Sequence, residues 1–211
     1  MEDGTRRSGY LVLYLGPMGS GKSTKALEQA TQFSVLGLKS AYVTSVLDAG
    51  RELEGGVSGK FASHNPLNKT LDKTVDYLSC TALKDIDLSV YDAVVIDESQ
   101  FMSNLYVDVV TLVNAGKIVQ VYGLSGDFKG RRFGETIDLI PQADEFHHMK
   151  AKCKQCFSNT TSMSGCFASA PFTDRLETVS LRDSIVIVGG MDMYISCCRM
   201  HHSYIRTQNG V

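Results

Sequence analysis

An α/β fold, with a mainly parallel sheet and a small cysteine-rich lobe behind it, is what this sequence predicts, and three observations carry the prediction. Apolar runs of strand length alternate with amphipathic stretches of helix length, the pattern of βαβ units. A glycine-rich loop, Gly16-Pro17-Met18-Gly19-Ser20-Gly21-Lys22-Ser23, lies between the first run and the first amphipathic stretch. It obeys the G-x-x-x-x-G-K-[ST] pattern that cradles phosphates, which makes the sheet one of P-loop NTPase type. Five of the six cysteines crowd into the last third of the chain and mark a separate piece, read as a C-terminal zinc-ribbon lobe.

The elements follow in order. "YLVLYLG" (10–16) is a continuous apolar run, as expected of a strand buried on both faces. After the loop, "KSTKALEQATQFSVLG" aligns Ala26, Ala30 and Phe33 along one helical face and stops at Gly37, a good C-cap residue. "SAYVTSV" (40–46) is a second strand. The segment from Asp48 to Asn68, with four glycines and no periodicity, is expected to be a long loop over the active-site edge. "YDAVVIDESQF" is another buried strand, ending in acids. "NLYVDVVTLVNAG" puts Leu105, Val109, Leu112 and Val113 on one helical face, and "IVQVYGL" (118–124) is strand-like again. In such a sheet, ligands bind at the carboxyl ends of the strands.

Composition narrows the function. A chain of 211 residues, 43% hydrophobic and 21% charged, suits one large domain with a small appendage. Its net charge of −2 offers no general attraction for nucleic acid. No apolar run reaches membrane-spanning length, and "MEDGTRRSG" is polar rather than a secretory signal, so a cytoplasmic protein with no membrane partner is expected. In that compartment the cysteines are thiols or metal ligands.

The chemistry starts at the loop. Backbone N–H groups at the helix start would point at a β-phosphate, Lys22 adds a point charge, and the Ser23 hydroxyl can ligate magnesium. Asp97, at the end of the hydrophobic strand, could help hold that magnesium through water. Glu98 beside it is placed to activate a nucleophile near the γ-phosphate, which is water in an ATPase and a hydroxyl in a kinase. A nucleic-acid-dependent ATPase with a zinc ribbon is the alternative, since Asp-Glu also ends a catalytic strand in motors. Against it, 211 residues cannot hold two motor lobes, and there is no arginine-rich tract for a strand-tracking groove.

In the last third, Cys153-x-x-Cys156 and Cys198-x-x-His201 supply three thiolates and one imidazole with zinc-ribbon spacing. Four protein ligands leave no open position, so the zinc would be structural. Cys197 and His202 compete for membership, Cys166 is a lone thiol, and His147 and His148 read as surface residues.

"GPMGSGKST", "IDESQF", "GLSGDFKGRRFGETIDLIPQAD", "AKCKQC", "FTDRL" and "IVIVGGMDMYISCCRMHH" occur in the order and approximate spacing of the zinc-containing thymidine kinases, which the chain resembles over residues 9–202. The resemblance implies a leader (1–8), a P-loop ATP-binding domain (9–149), a zinc-ribbon and nucleoside-binding lobe (150–202) and a tail (203–211). It implies transfer of the ATP γ-phosphoryl to the 5'-hydroxyl of thymidine, with deoxyuridine a possible second substrate. Residue by residue, Glu98 matches the family's base, and Gly16 to Ser23 with Lys22 its phosphate loop. Magnesium would sit at Ser23 and, through water, at Asp97, and Gln100 joins the nucleotide side. Arg51 matches an arginine that stabilises phosphate charge, with one extra residue between Asp48 and Arg51.

Phe101, Leu124, Phe128 and Phe133 match the apolar nucleoside pocket, with Thr173 near the thymine. Ile185, Val186, Ile187, Val188 and Gly189 match a lasso that pairs its backbone with the base, and Tyr194 bonds the sugar or phosphate end; without the family, "SIVIVGG" reads as a strand and turn. A homotetramer inhibited by thymidine triphosphate is implied as well. The chain departs from the family at Gly19 and Ser99, at His201 in place of a fourth cysteine, and in an insertion at 157–170.

Overall fold

The computed structural model describes residues 8–49, 74–158, 169–176 and 193–203. Among these residues six strands form the central sheet: β1 (Tyr10–Gly16), β2 (Ser40–Ser45), β3 (Asp76–Cys80), β4 (Ala93–Ile96), β5 (Ile118–Leu124) and β6 (Glu145–His148), in the order β3-β2-β4-β5-β1-β6. Every neighbouring pair runs parallel. Parallel strands need helical crossovers that cover the sheet, so the central ones are buried on both faces, and all four residues of β4 are buried.

The pleat divides them. Val94 and Ile96 join Leu11, Leu13, Val119 and Val121 in one apolar cluster, under helix α3 (Leu105–Asn114), whose Leu105 and Val109 are fully buried. Val95, Tyr42 and Tyr122 point the other way, into Ala26, Leu27 and Ala30 of helix α1 (Lys22–Val35). Alternation of side chains along a strand thus builds two cores from one sheet. The expected helices and central strands all form; α1 ends before Gly37, which has φ 81°, and the strand containing "AVVI" stops at Ile96, leaving Asp97 and Glu98 just beyond its carboxyl end.

Two strands escape the sequence reading. β3 and β6 are the sheet's edges, and β6 exposes all four of its side chains, so neither carries a buried strand's continuous apolar run. A short helix, α2 (Val46–Ala49), follows β2. Most of the expected loop at 48–68 lies outside the described residues. Among the described residues no helix is long and apolar enough to cross a membrane.

The described residues of the cysteine-rich lobe include two small antiparallel ladders, β7 (Ala151–Lys152) with β8 (Ser169–Ala170) and β9 (Phe172–Arg175) with β10 (Tyr194–Cys197), plus the short helix α4 (Lys154–Ser158). Among its described residues, Ala151, Cys153, Ala170, Cys197 and Cys198 form one apolar cluster, with Cys156 and Phe172 packed on it.

Candidate active site and metal centre

β1 and β5 end together, β4 stops three residues earlier in register, and residues singled out for chemistry lie at or just beyond these carboxyl ends. Gly16 closes β1 opposite Leu124 at the end of β5, and Ile96 at the end of β4 pairs with Val121 of β5. The phosphate loop runs from Gly16 into α1. Its turn needs positive φ at Gly19 (69°) and Gly21 (84°), which favours glycine at both. Gly19, a departure from the family pattern, therefore suits the backbone found here. Within the loop, the Ser20 hydroxyl donates to the Pro17 carbonyl at 2.8 Å, and Lys22 Nζ donates to the Gly16 and Pro17 carbonyls at 3.1 and 2.8 Å. Burial pulls the Lys22 pKa down, against the opposing pull of the Glu98 and Asp97 carboxylates. Lysine and acid pair therefore share one field.

Asp97 is 1% exposed. Its Oδ2 accepts the Tyr42 hydroxyl at 2.6 Å, its Oδ1 accepts the Glu98 backbone N–H at 2.9 Å, and Ser23 also hydrogen-bonds its side chain. Burial and the neighbouring Glu98 charge push its pKa up to about 6, although these three bonds favour the ionised form. Ser23 and Asp97 are hard oxygen donors side by side, and a cation there would offset the like-charge repulsion, so the pair fits magnesium.

Glu98 adopts a left-handed backbone, φ 49° and ψ 38°, uncommon for a residue with a side chain. Its neighbours hold it there: Asp97, Ser99 and Gln100 are buried, while Glu98 is half-buried. Ser99 Oγ lies 3.0 Å from Thr136 Oγ1, in a space left by Gly123, where an added Cβ would come within 2.4 Å of Ser99 Oγ. That close approach is how the second departure, Ser99, is accommodated. Backbone strain kept at one strand end by buried neighbours is characteristic of functional positions.

The proposed nucleoside residues also gather near this end. Phe101 and Phe133 meet edge to face, with centroids 5.4 Å apart, and Leu124 is buried. Thr173 Oγ1 accepts the Met18 N–H at 3.0 Å, joining β9 of the small lobe to the phosphate loop. Arg175 lies 3.9 Å from the Phe128 ring centroid and donates to the Tyr194 hydroxyl at 3.2 Å. Arg175 therefore joins Phe128 and Tyr194, while Thr173 meets the phosphate loop. Arg51, the lasso residues Ile185, Val186, Ile187, Val188 and Gly189, and Cys166 lie outside the described residues.

Cys153, Cys156, Cys198 and His201 bring their ligand atoms within 4.8 Å of one another. A tetrahedron with metal–sulfur bonds of about 2.3 Å and metal–nitrogen bonds of about 2.0 Å has edges of about 3.5–3.8 Å. Cys156 and Cys198 sulfurs stand 3.7 Å apart, and His201 Nδ1 lies 3.5, 3.1 and 3.4 Å from the sulfurs of Cys153, Cys156 and Cys198. The set is compatible with zinc. Burial alone would raise the Cys153 thiol, but hydrogen bonds from the Cys156 and Cys198 backbones, then from the Cys156 and His201 side chains, outweigh it and bring it down to about 6. Such a site favours the thiolate that binds metal. Cys197 faces elsewhere, fully buried with its thiol pushed up to about 12, chiefly by burial, and the buried His202 meets Phe172 edge-on at 5.3 Å. Both fall outside the four-ligand group.

Sequence reasoning missed Tyr42, Thr136 and Arg175. Each acts through a partner distant in sequence, and only the sheet order and the docking of the small lobe bring the partners together.

A parallel sheet with a phosphate loop after β1 and an acid pair after β4 defines a P-loop nucleotide-binding protein. The sequence model described as thymidine kinase matches residues 9–202, and the chain belongs to the thymidine kinase family. It is similar to the cytosolic thymidine kinase of Cricetulus griseus, 29% identical over 198 residues that cover 93% of this chain and 74% of that one. The thymidine kinase of Variola virus (isolate Human/India/Ind3/1967) is 30% identical over 197 residues, 90% of this chain and 95% of its own. That of Mycoplasma genitalium is 27% identical over 201 residues, 94% and 85% of the two chains.

Proposed function

We infer that this chain transfers the γ-phosphoryl group of ATP to the 5'-hydroxyl of thymidine. The observation that carries the reading is the placement of the phosphate loop with Lys22 at the carboxyl end of β1 and of the Asp97–Glu98 pair just beyond the carboxyl end of β4, the two strands that flank β5. In this reading the loop amides and Lys22 hold phosphate oxygens, and the half-buried Glu98 accepts the proton of the attacking hydroxyl. Magnesium, held by the Ser23 hydroxyl and through water by Asp97, supplies neutralisation of phosphate charge. Phe101, Leu124, Phe128, Phe133, Thr173 and Tyr194 form the nucleoside side.

Zinc in the Cys153, Cys156, Cys198 and His201 set contributes to folding the small lobe by tying its segments together. The family likeness supports a homotetramer inhibited by thymidine triphosphate, and relatives named cytosolic support a cytoplasmic location.

Incubation with magnesium ATP and each nucleoside in turn, followed by mass analysis of products, tests the function. Thymidine monophosphate and ADP in equal amounts are expected, with deoxyuridine as the competing acceptor. ATP hydrolysis that depends on nucleic acid and yields no nucleoside product would replace this reading with the motor alternative.

A further inference from the structure

The Gln100 side chain bridges two parts of the site. Its Oε1 accepts the backbone N–H of Leu124 at 3.0 Å, and its Nε2 donates a short hydrogen bond to Glu98 Oε2. Gln100 is 4% exposed, so neither end can exchange its protein partner freely for water. The first bond also fixes the sense of the second. A backbone N–H can be met only by the amide oxygen, so the NH2 group must face the other way, toward the carboxylate.

The carboxylate it meets belongs to a residue that needs restraint. Glu98 is half-buried, its backbone is left-handed, and the turn beyond it is held by the Phe101 N–H to Glu98 carbonyl bond at 3.1 Å. The backbone bond of the turn does not engage the Glu98 side chain. The Gln100 amide does, because it anchors Oε2 to the end of β5, while Oε1 accepts no hydrogen bond from the described residues. Leu124, which orients the amide, is itself one of the nucleoside-side residues. The same backbone that lines the pocket thus also orders the base.

We propose that Gln100 is the positioning residue of this active site: an amide locked by the Leu124 N–H that holds one Glu98 oxygen and presents the other to the acceptor hydroxyl. The proposal rests on the assignment of Glu98 as the base. It gives Gln100 a role toward that base rather than toward the nucleotide, where the family pattern puts it. A group that aligns a general base should be felt in turnover more than in binding, since general base catalysis depends on hydrogen-bond geometry to the proton removed.

Gln100→Glu is the informative variant. It keeps the shape and an oxygen for the Leu124 N–H, so the brace to β5 survives, but it replaces the donor to Glu98 with a second carboxylate. Gln100→Met keeps the length and removes both bonds. Thymidine kcat and KM, the ATP Kd and thermal melting are measured for both, for Glu98→Gln, and for the Glu98→Gln/Gln100→Met double variant. Gln100→Glu should bind ATP as the parent does and melt earlier, because a buried carboxylate then faces Glu98, with kcat down about 10- to 100-fold and thymidine KM within about 3-fold.

In the Glu98→Gln background the Gln100→Met change should cost less than about 3-fold, because a positioning residue has nothing left to position. Near-parental kcat in Gln100→Glu, or losses that multiply in the double variant, would overturn the positioning role while leaving the base intact. Near-parental turnover in Glu98→Gln alone would remove the base assignment instead, so the two failures are distinguishable. Should Gln100→Glu not fold, the comparison of Gln100→Met with the double variant decides by the same criterion.

Discussion

The Tyr42 hydroxyl donates a 2.6 Å hydrogen bond to Asp97 Oδ2, joining β2 to the end of β4 inside the protein, where Tyr42 is fully buried and Asp97 nearly so. Even with this donor, Asp97 is held above the ordinary carboxylate range, at about 6, by burial and by the Glu98 charge. The free energy stored at this acid is a cost to the fold, accepted at a functional position.

A pH dependence follows from it. The folded pKa lies above the ordinary aspartate value of 3.8, so between these values the folded chain binds more protons than the unfolded one. Asp97 then contributes its full relative stability below about pH 4, and that contribution is lost as pH rises through about 6. With magnesium chelated, Asp97→Asn should be more stable than the parent at pH 7.5 by on the order of 1–3 kcal/mol, and the gain should shrink toward pH 4. Denaturant melts at both pH values check this. A loss of stability at pH 7.5 would show that the ionised carboxylate supports the fold.

The wedge beneath Glu98 gives a second expectation. Gly123→Ala puts a methyl group within 2.4 Å of Ser99 Oγ, so Ser99 must move, and the Ser99–Thr136 bond and the left-handed turn move with it. A destabilisation of about 1–3 kcal/mol is expected, with reduced turnover. Ser99→Ala/Gly123→Ala should recover at least half of that loss, because the colliding oxygen is gone. Additive losses in a double-mutant cycle would contradict the wedge.

These two sites also mark what the sequence made legible. The apolar runs of β1, β2, β4 and β5 and the periodic faces of α1 and α3 follow from burial, and burial leaves a pattern in one dimension. So does the metal set, because Cys153-x-x-Cys156 and Cys198-x-x-His201 are local spacings. β3 and β6 leave no such trace, since an edge strand is held by one neighbour and faces solvent. Nothing local in the sequence singles out Tyr42, because its partner is 55 residues away. The Ser99 departure could be seen, but not the Gly123 beside it that makes room for its oxygen.

The metal centre yields a third expectation. His201→Cys should keep one zinc per chain, since thiolate and imidazole are both good tetrahedral ligands, whereas His201→Ala opens a position and weakens a site whose metal binding is worth on the order of 10 kcal/mol of folding. The small lobe should then loosen, and nucleoside phosphorylation should fail before ATP binding does. His202→Ala should melt earlier, because a buried ring is lost, yet retain its zinc. Metal content after dialysis decides it: zinc lost from His202→Ala but kept by His201→Ala would reverse the ligand assignment.

The central claim is that Glu98 takes the proton of a nucleoside hydroxyl while Lys22 and its loop hold the phosphates. The most direct test compares Glu98→Gln with Lys22→Ala, measuring thymidine monophosphate formation and the ATP Kd on the same preparations. Glu98→Gln keeps size and polarity but removes the base, so turnover should fall about 10²- to 10⁴-fold with the ATP Kd within about 3-fold of the parent. Lys22→Ala should weaken ATP binding and turnover together. Near-parental thymidine monophosphate formation by Glu98→Gln would contradict the account.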